Sequence, residues 1–275
     1  MQKDKYRRAN TEGQIQKGRY RRAVQAGRLG GPTGDPGVCV VNSEPLQDRE
    51  LHGASWRELP ELRERLQVGA HPSTLVRCDL SGADLRGLDL PGWQFHDCNL
   101  DEARLNGTRL DSALVKGGSA RSATFIDCDL AGARFEAVDA CDARFGGALM
   151  TEAQFHGCRL MGTSFEGTRG LGMLLQNCNL YAANLNGCVL TNVALTGLRL
   201  TEASLREADL RGSDLAGSVL LHADLYAARL KNADLRGADL GPVDLGRLGA
   251  LSGAIITHAQ AERILVELAN VVVTD

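Results

Sequence analysis

Residues 206–240 read READL-RGSDL-AGSVL-LHADL-YAARL-KNADL-RGADL, seven pentads that each close on Leu. Followed outward, the same frame runs from Leu75 to Ile255 without an insertion, 37 positions in all. Only Ala120, Ala140, Gly170 and Ala250 lack a Leu, Ile, Val, Met or Phe there. All six Phe fall on the frame, at 95, 125, 135, 145, 155 and 165. Two residues earlier, from Cys78 to Gly253, 28 of 36 positions hold Ala, Cys, Ser, Thr or Gly. An unbroken internal period of this kind decides the architecture before any local propensity is weighed.

A period of five fits neither regular element. On a helix every fifth residue drifts around the cylinder, so no apolar stripe forms. On a continuous strand an odd period sends successive Leu to opposite faces. The pattern survives only when the chain bends once per pentad, with Leu and the small residue two before it turned inward. Gly stands two residues after many of these Leu, at 82, 87, 107, 132, 157, 187, 212 and 237, where a turn takes a positive φ at little steric cost. Bends in one sense coil the chain into an all-β solenoid whose rungs stack at about 4.8 Å.

Composition closes off other classes. The 275 residues carry 31 Lys+Arg against 34 Asp+Glu, net −3, with 4% aromatics. No apolar run approaches the roughly 18 residues of a membrane span, and no apolar signal core follows Met1, so the cytoplasm is the expected compartment. Eight Cys are too few for a disulfide scaffold of this length. No HExxH, GxSxG or GxxxxGK motif occurs, and the linker at 30–37 lacks the Lys and helix that make a phosphate cradle. His96 and His156 stand three coils, about 14 Å, apart, too far for a shared metal. Asp101 and Glu102 pair carboxylates on a convex wall with no cleft to exclude water. The expectation is a non-enzymatic protein without cofactor, metal or small-molecule substrate.

The pattern A(D/N)LXX, exact at Ala83-Asp84-Leu85, Ala208-Asp209-Leu210, Ala223-Asp224-Leu225, Ala233-Asp234-Leu235 and Ala238-Asp239-Leu240, resembles the pentapeptide-repeat family. The resemblance implies a right-handed quadrilateral β-helix of four pentads and twenty residues per coil, hence about nine coils, closed by short helical caps. It also implies a function. Similar rods occupy the DNA-binding saddle of DNA gyrase as DNA mimics and protect it from quinolones or peptide toxins. The unbroken frame is similar to the loopless members.

With a twenty-residue coil, residues twenty apart become vertical neighbours. Phe125, Phe145 and Phe165 form one interior ladder, with Phe135 and Phe155 on the opposite wall, as stacked core. Cys78/Cys98 and Cys158/Cys178 become neighbours within disulfide reach, read as buried structural thiols. Outward columns alternate charge at Asp84/Arg104, Asp89/Arg109/Asp129 and Asp209/Arg229, consistent with surface ion pairing. One wall carries seven acids, Asp79, Asp101, Glu102, Asp139, Asp142, Glu202 and Asp239, against Arg121, Arg159 and Arg199. This acidic wall either holds a partner that grips DNA phosphates or is a solvated face. Met161, Leu171, Leu174 and Tyr181 gather mid-rod as a candidate apolar contact patch.

The chain divides into a basic arm and Gly/Pro linker (1–37), an N-terminal cap (38–74), the repeats (75–256) and a C-terminal helix–strand cap (257–275). Residues 1–28 hold nine bases against two acids, and KYRRA at 5–9 recurs as RYRRA at 19–23. Lys5, Arg7, Arg8, Arg19, Arg21 and Arg22 therefore form a basic arm suited to nucleic acid or an acidic protein, or serve as a solubilising tail. In the N-terminal cap, Val38–Val41 reads as a strand and Pro60–Val68 as a short helix, with Trp56 and Trp93 as packing partners. Thr257-His258-Ala259-Gln260 fits a capping box before an apolar stripe of Ile264, Leu265 and Leu268. Asn270 is the expected helix stop and Val271–Val273 the expected strand. This module is a lid, or joins two rods as a homodimer through Ile264, Leu265, Leu268 and Val272, as the resemblance implies.

Overall fold

The computed structural model describes residues 50–52, 74–269 and 271–272. The basic arm, the linker, the Val38–Val41 strand, Trp56, the Pro60–Val68 helix and Asn270 lie outside the described residues.

Seven three-residue strands lie parallel in chain order: β1 (Glu50–His52), β2 (Thr74–Val76), β3 (Gln94–His96), β4 (Leu114–Lys116), β5 (Arg134–Glu136), β6 (Gln154–His156) and β7 (Leu174–Gln176). From β2 on, each pairs with the next at a register of twenty, through Leu75, Phe95, Val115, Phe135, Phe155 and Leu175. β1 joins with four extra residues, Leu51 opposite Leu75. The outward residues between strands bridge at the same spacing, as in Asp79↔Asn99, Asp84↔Arg104 and Asp89↔Arg109. A register of twenty with one inward residue every five makes four walls. The fold is a parallel β-solenoid with two short helices at its C-terminal end. The expectation of about nine coils overstates the regular part: three-residue rungs span about five turns, Leu75 to Leu175. Beyond β7 that wall continues as single-residue bridges, Ala194↔Asp214, Asp214↔Asp234 and Asp234↔Ile255.

The bend has a single source. Every second residue after a central position, from Arg77 to Gly237, takes a positive φ, whether Gly or not. One left-handed residue per pentad turns each corner; Gly118 and the central Gly170 add a second in their pentads. Gly170 departs furthest, at φ 104°, and an added Cβ there would stand 2.6 Å from the Thr151 backbone nitrogen.

The interior is lined by buried apolar side chains. Phe125 and Phe145 stack at 4.8 Å, Phe145 and Phe165 at 5.1 Å, and Phe135 and Phe155 at 4.7 Å. The two ladders meet edge to face at 5.5–5.9 Å. Two of the frame's exceptions now have a reason. Each coil with two Phe gives up one other central side chain, Ala140 beside Phe135 and Phe145, and Gly170 beside Phe155 and Phe165. Constant interior volume enforces the exchange.

The small inward position does chemical work. Thr108 Oγ1 donates to the Leu85 carbonyl at 2.7 Å, Ser218 Oγ to Leu195 at 2.9 Å and Cys128 Sγ to Leu105 at 2.9 Å. Each donates to the carbonyl twenty-three residues back, in the coil below. Seven Cys among the described residues are buried as thiols. Burial pushes the Cys128 thiol up to about 12 and Cys188 to about 11, so both stay protonated and inert at neutral pH.

The five-residue frame outlasts the solenoid. Leu245, a frame position, opens helix α1 (Leu245–Ala250) and is 78% exposed. Asp244 caps that helix, accepting from the Arg247 backbone N–H at 2.7 Å. The chain returns at Ile255, opposite Asp234 at a register of twenty-one. Helix α2 (His258–Ala269) then covers the end. Its capping box forms as expected, with Gln260 N donating to Thr257 Oγ1 at 3.2 Å and Thr257 N to Gln260 Oε1 at 2.8 Å. Val271 and Val272 form no strand.

Candidate partner-binding surfaces

The acidic wall is one continuous column of bridges, from Asp79 through Asn99, Ser119, Asp139, Arg159, Asn179, Arg199 and Val219 to Asp239. Its charge is less free than the sum suggested. Asp139 lies between Arg121 at 2.6 Å and Arg159 at 3.3 Å. Burial alone would raise its carboxyl, but the bonds from Arg121 and the Cys141 side outweigh it and hold the pKa low. Asp101 accepts from Ser119 Oγ and from the Arg121 backbone N–H. Asp79 accepts from Ser81 N, Glu202 from the Tyr181 hydroxyl at 2.7 Å, and Asp239 faces Arg263 at 3.9 Å. Glu102 and Asp142, two coils apart on the same corner column, are exposed. Glu202 and Asp239 are exposed too, but each faces a partner, the Tyr181 hydroxyl and Arg263.

The outward alternation forms real pairs. Arg104 reaches Asp84 at 3.6 Å, Arg109 reaches Asp89 at 3.0 Å and Arg229 reaches Asp209 at 2.9 Å. An arginine two residues on clasps two of the same carboxylates, Arg86 on Asp84 and Arg211 on Asp209, and Arg236 clasps Asp234 in the same way. Those hydrogen bonds hold all three carboxyls below the usual range, Asp234 down to about 2. A depressed folded pKa adds stability above the unfolded value, near 3.9, and loses it as pH falls through the folded value. The melting temperature is therefore expected to stay flat from pH 7 to 5 and to fall below about pH 4. Asp209 is buried, but its arginines and those on Asp84 and Asp234 are half exposed, so the loss is modest. A drop between pH 7 and 5 would place the sensitive group elsewhere.

The mid-rod apolar cluster divides in two. Met161 and Tyr181 are vertical neighbours on the acidic wall, whereas Leu171 and Leu174 belong to the corner and strand of the preceding wall. Leu171 is 63% exposed and Tyr181 41%. At the C-terminus Ile264 is buried and Leu268 packs against the core, while Leu265 and Val272 are exposed.

The sequence did not point to the last turn of the solenoid. A cleft of about 630 Å³ opens there, lined by His222, Asp224, Tyr226, Val243, Asp244 and Arg247. Arg247 spans it and donates to the carbonyls of Ala223 at 2.8 Å and Leu220 at 2.5 Å. Burial pushes its guanidinium pKa down. The only hint in the sequence is Pro242 with Gly246 and Gly249, which interrupt the pentad chemistry while the count of five continues.

Comparison with known proteins is consistent with this geometry. The family model for pentapeptide repeats matches eight copies, over residues 78–117, 128–167, 174–212 and 203–241, more than half of the chain. No curated protein matches. Among solved structures, a trypsin-treated variant of QnrB1, a plasmid-mediated fluoroquinolone resistance protein, aligns with a TM-score of 0.53 at 24% identity. The alignment covers 74% of this chain and 100% of that one. A second trypsin-treated QnrB1 variant gives 0.52 at 25% identity over 74% and 98%.

Proposed function

The chain belongs to the pentapeptide-repeat family, and on that premise we propose that it is a non-enzymatic scaffold that binds protein partners along its outer walls. The observation that carries this reading is the division of labour in each pentad. Inward positions are consumed by packing, while outward residues form columns of charge and hydrogen bonding at the rung spacing. A partner then reads a rigid, periodic surface. In this reading the basic arm, Lys5, Arg7, Arg8, Arg19, Arg21 and Arg22, recruits nucleic acid or an acidic protein. The C-terminal residues Leu265 and Val272 join two copies. The protein works in the cytoplasm; among the described residues no helix is long and apolar enough to cross a membrane.

The test compares partners cross-linked in cells to the full chain, to a chain lacking residues 1–28, and to a Met161→Glu/Tyr181→Glu variant. Each deletion or substitution is expected to lose a defined partner. Identical partner sets from all three would overturn the assignment of these surfaces. For the dimer, Leu265→Asp/Val272→Asp is expected to halve the sedimenting mass, and an unchanged mass would remove the pair from the interface.

A second reading is favoured by the likeness to QnrB1 over the whole of that chain: a DNA mimic that binds DNA gyrase. Here Glu102 and Asp142 stand in for phosphates. Purified protein at micromolar concentration is expected to inhibit supercoiling, or to rescue it from a fluoroquinolone. Glu102→Lys/Asp142→Lys is expected to abolish the effect. No effect from the unaltered chain, in an assay where QnrB1 acts, would leave the scaffold reading alone.

A further inference from the structure

Each wall is held to the next coil by two backbone bonds at its centre. Many corners add a third, as Gly82 N does to Asp101 O at 2.7 Å. One of these, Asn177 N to Thr196 O at 3.3 Å, persists with the Thr168 Oγ1–Cys188 Sγ contact at 3.7 Å where the central two lapse. A central amide donates to the carbonyl nineteen residues on, as Leu80 N does to Asn99 O at 2.7 Å. The amide before a central residue donates twenty-one residues back, as Asn99 N does to Cys78 O at 2.9 Å. Among the described residues between Leu80 and Leu220, this pairing lapses at one level only. Gly170 N and Leu175 N do not reach the carbonyls of Val189 and Ala194, and Val189 N and Ala194 N do not reach those of Thr168 and Met173. On one wall the bridges stop at Leu149↔Arg169 and resume at Val189↔Asp209; on the next, β7 pairs only downward and bridging resumes at Ala194↔Asp214. On the other two walls the same coils stay bonded, through Asn179↔Arg199 and Asn184↔Ser204.

The cause lies in the corner between the open walls. Its inward column runs Trp93, Ala113, Ala133, Ala153, then Met173 and Val193, then Ser213 and Ala233. Met173 is buried. Trp93 stands alone next to small residues and the bonds around it are intact; two bulky side chains on successive levels wedge the coils apart. Leu171 and Val189 are left exposed beside the gap.

We propose that this seam is a hinge. The rod bends about the two bonded walls, opening and closing the corner formed by residues 168–175 and 188–195. This goes beyond partner binding as such, because it lets the two arms of one rod match partner surfaces of different curvature.

Amide hydrogen exchange on the full chain tests it directly. Leu175, Val189 and Ala194 are expected to exchange about 100-fold faster than Leu180, Leu185 and Ser204, which are bonded in the same coils. Equal protection would overturn the hinge. Spin-label distances give a second reading, in a Cys39→Ser background. A Gln154→Cys/Asp214→Cys pair crosses the open wall, and an Arg144→Cys/Ser204→Cys pair crosses a bonded one. A broad distribution on the open wall beside a narrow one on the bonded wall is expected; equal widths would overturn the proposal. Met173→Ala/Val193→Ala restores the small residues of this corner and is expected to protect the three amides. Unchanged exchange in the folded double variant would overturn the wedge as the cause.

Discussion

Phe145→Ala is expected to cost about 3–5 kcal/mol of unfolding free energy, as large as single core truncations reach. Phe145 is fully buried, stacks between Phe125 and Phe165, and meets Phe135 and Phe155 edge to face. Its removal opens a void that four rings in a closed β-cage cannot collapse to fill. The reciprocal substitution, Ala140→Leu, adds three carbons to the same coil and is expected to cost about 1–3 kcal/mol by overpacking. The decisive experiment is the double variant Phe145→Leu/Ala140→Leu, which rebuilds the Leu-lined coil seen elsewhere. It is expected to be more stable than the sum of its singles by at least about 1 kcal/mol, because the two sites share one volume. Urea denaturation of Phe145→Leu, Ala140→Leu and the double variant closes the cycle. Simple additivity would show that Ala140 does not compensate for the ring.

That exchange also marks the limit of the sequence. The frame, the inward pairs and the turn positions were readable because period and polarity are properties of the chain alone. Four walls per coil came only from resemblance; the register Leu75↔Phe95 supplies the number directly. The acidic wall was legible as a count of charges, but not its state. Arg121 and Arg159 lean onto Asp139 through side-chain torsions that no frame encodes. The mid-rod apolar cluster mixed two walls, since a corner separates Leu174 from Tyr181. Met173 and Val193 were visible as exceptions to the small-residue rule. Their effect appears only when a twenty-residue register stacks one on the other. At the C-terminus the count of five ran on to Ile255, while Asp244 capped a helix at Leu245. A period cannot announce its own end when the residues that end it keep the spacing.

The end itself carries the second large effect. In a continuing rod the carbonyls of Ala223 and Ala238 would accept amides twenty-one residues on, and those of Leu220 and Leu235 would accept a small polar side chain twenty-three residues on. Arg247 supplies both kinds of donor to Leu220 and Ala223. Gln260 Nε2 does the same for Leu235 at 2.8 Å and Ala238 at 2.9 Å. Two side chains thus imitate the missing coil. Gln260→Leu keeps the volume, leaves the Ala238 carbonyl unpaired at about 1–3 kcal/mol, and removes the second donor from the Leu235 carbonyl, which keeps the Ala238 amide at 3.0 Å. Arg247→Met does likewise to Ala223 and Leu220 on the adjoining wall. Each variant is expected to lose about 1–3 kcal/mol, with exchange rising first in residues 220–240. Glu262→Ala, on the exposed face of α2, should stay within about 0.5 kcal/mol. An uncapped terminal rung is also an open β-edge, so the double variant should associate end to end, visible as concentration-dependent light scattering. If Gln260→Leu and Arg247→Met each behave like the Glu262 control, the last coil is closed by apolar contact alone and not by the donors that replace its successor.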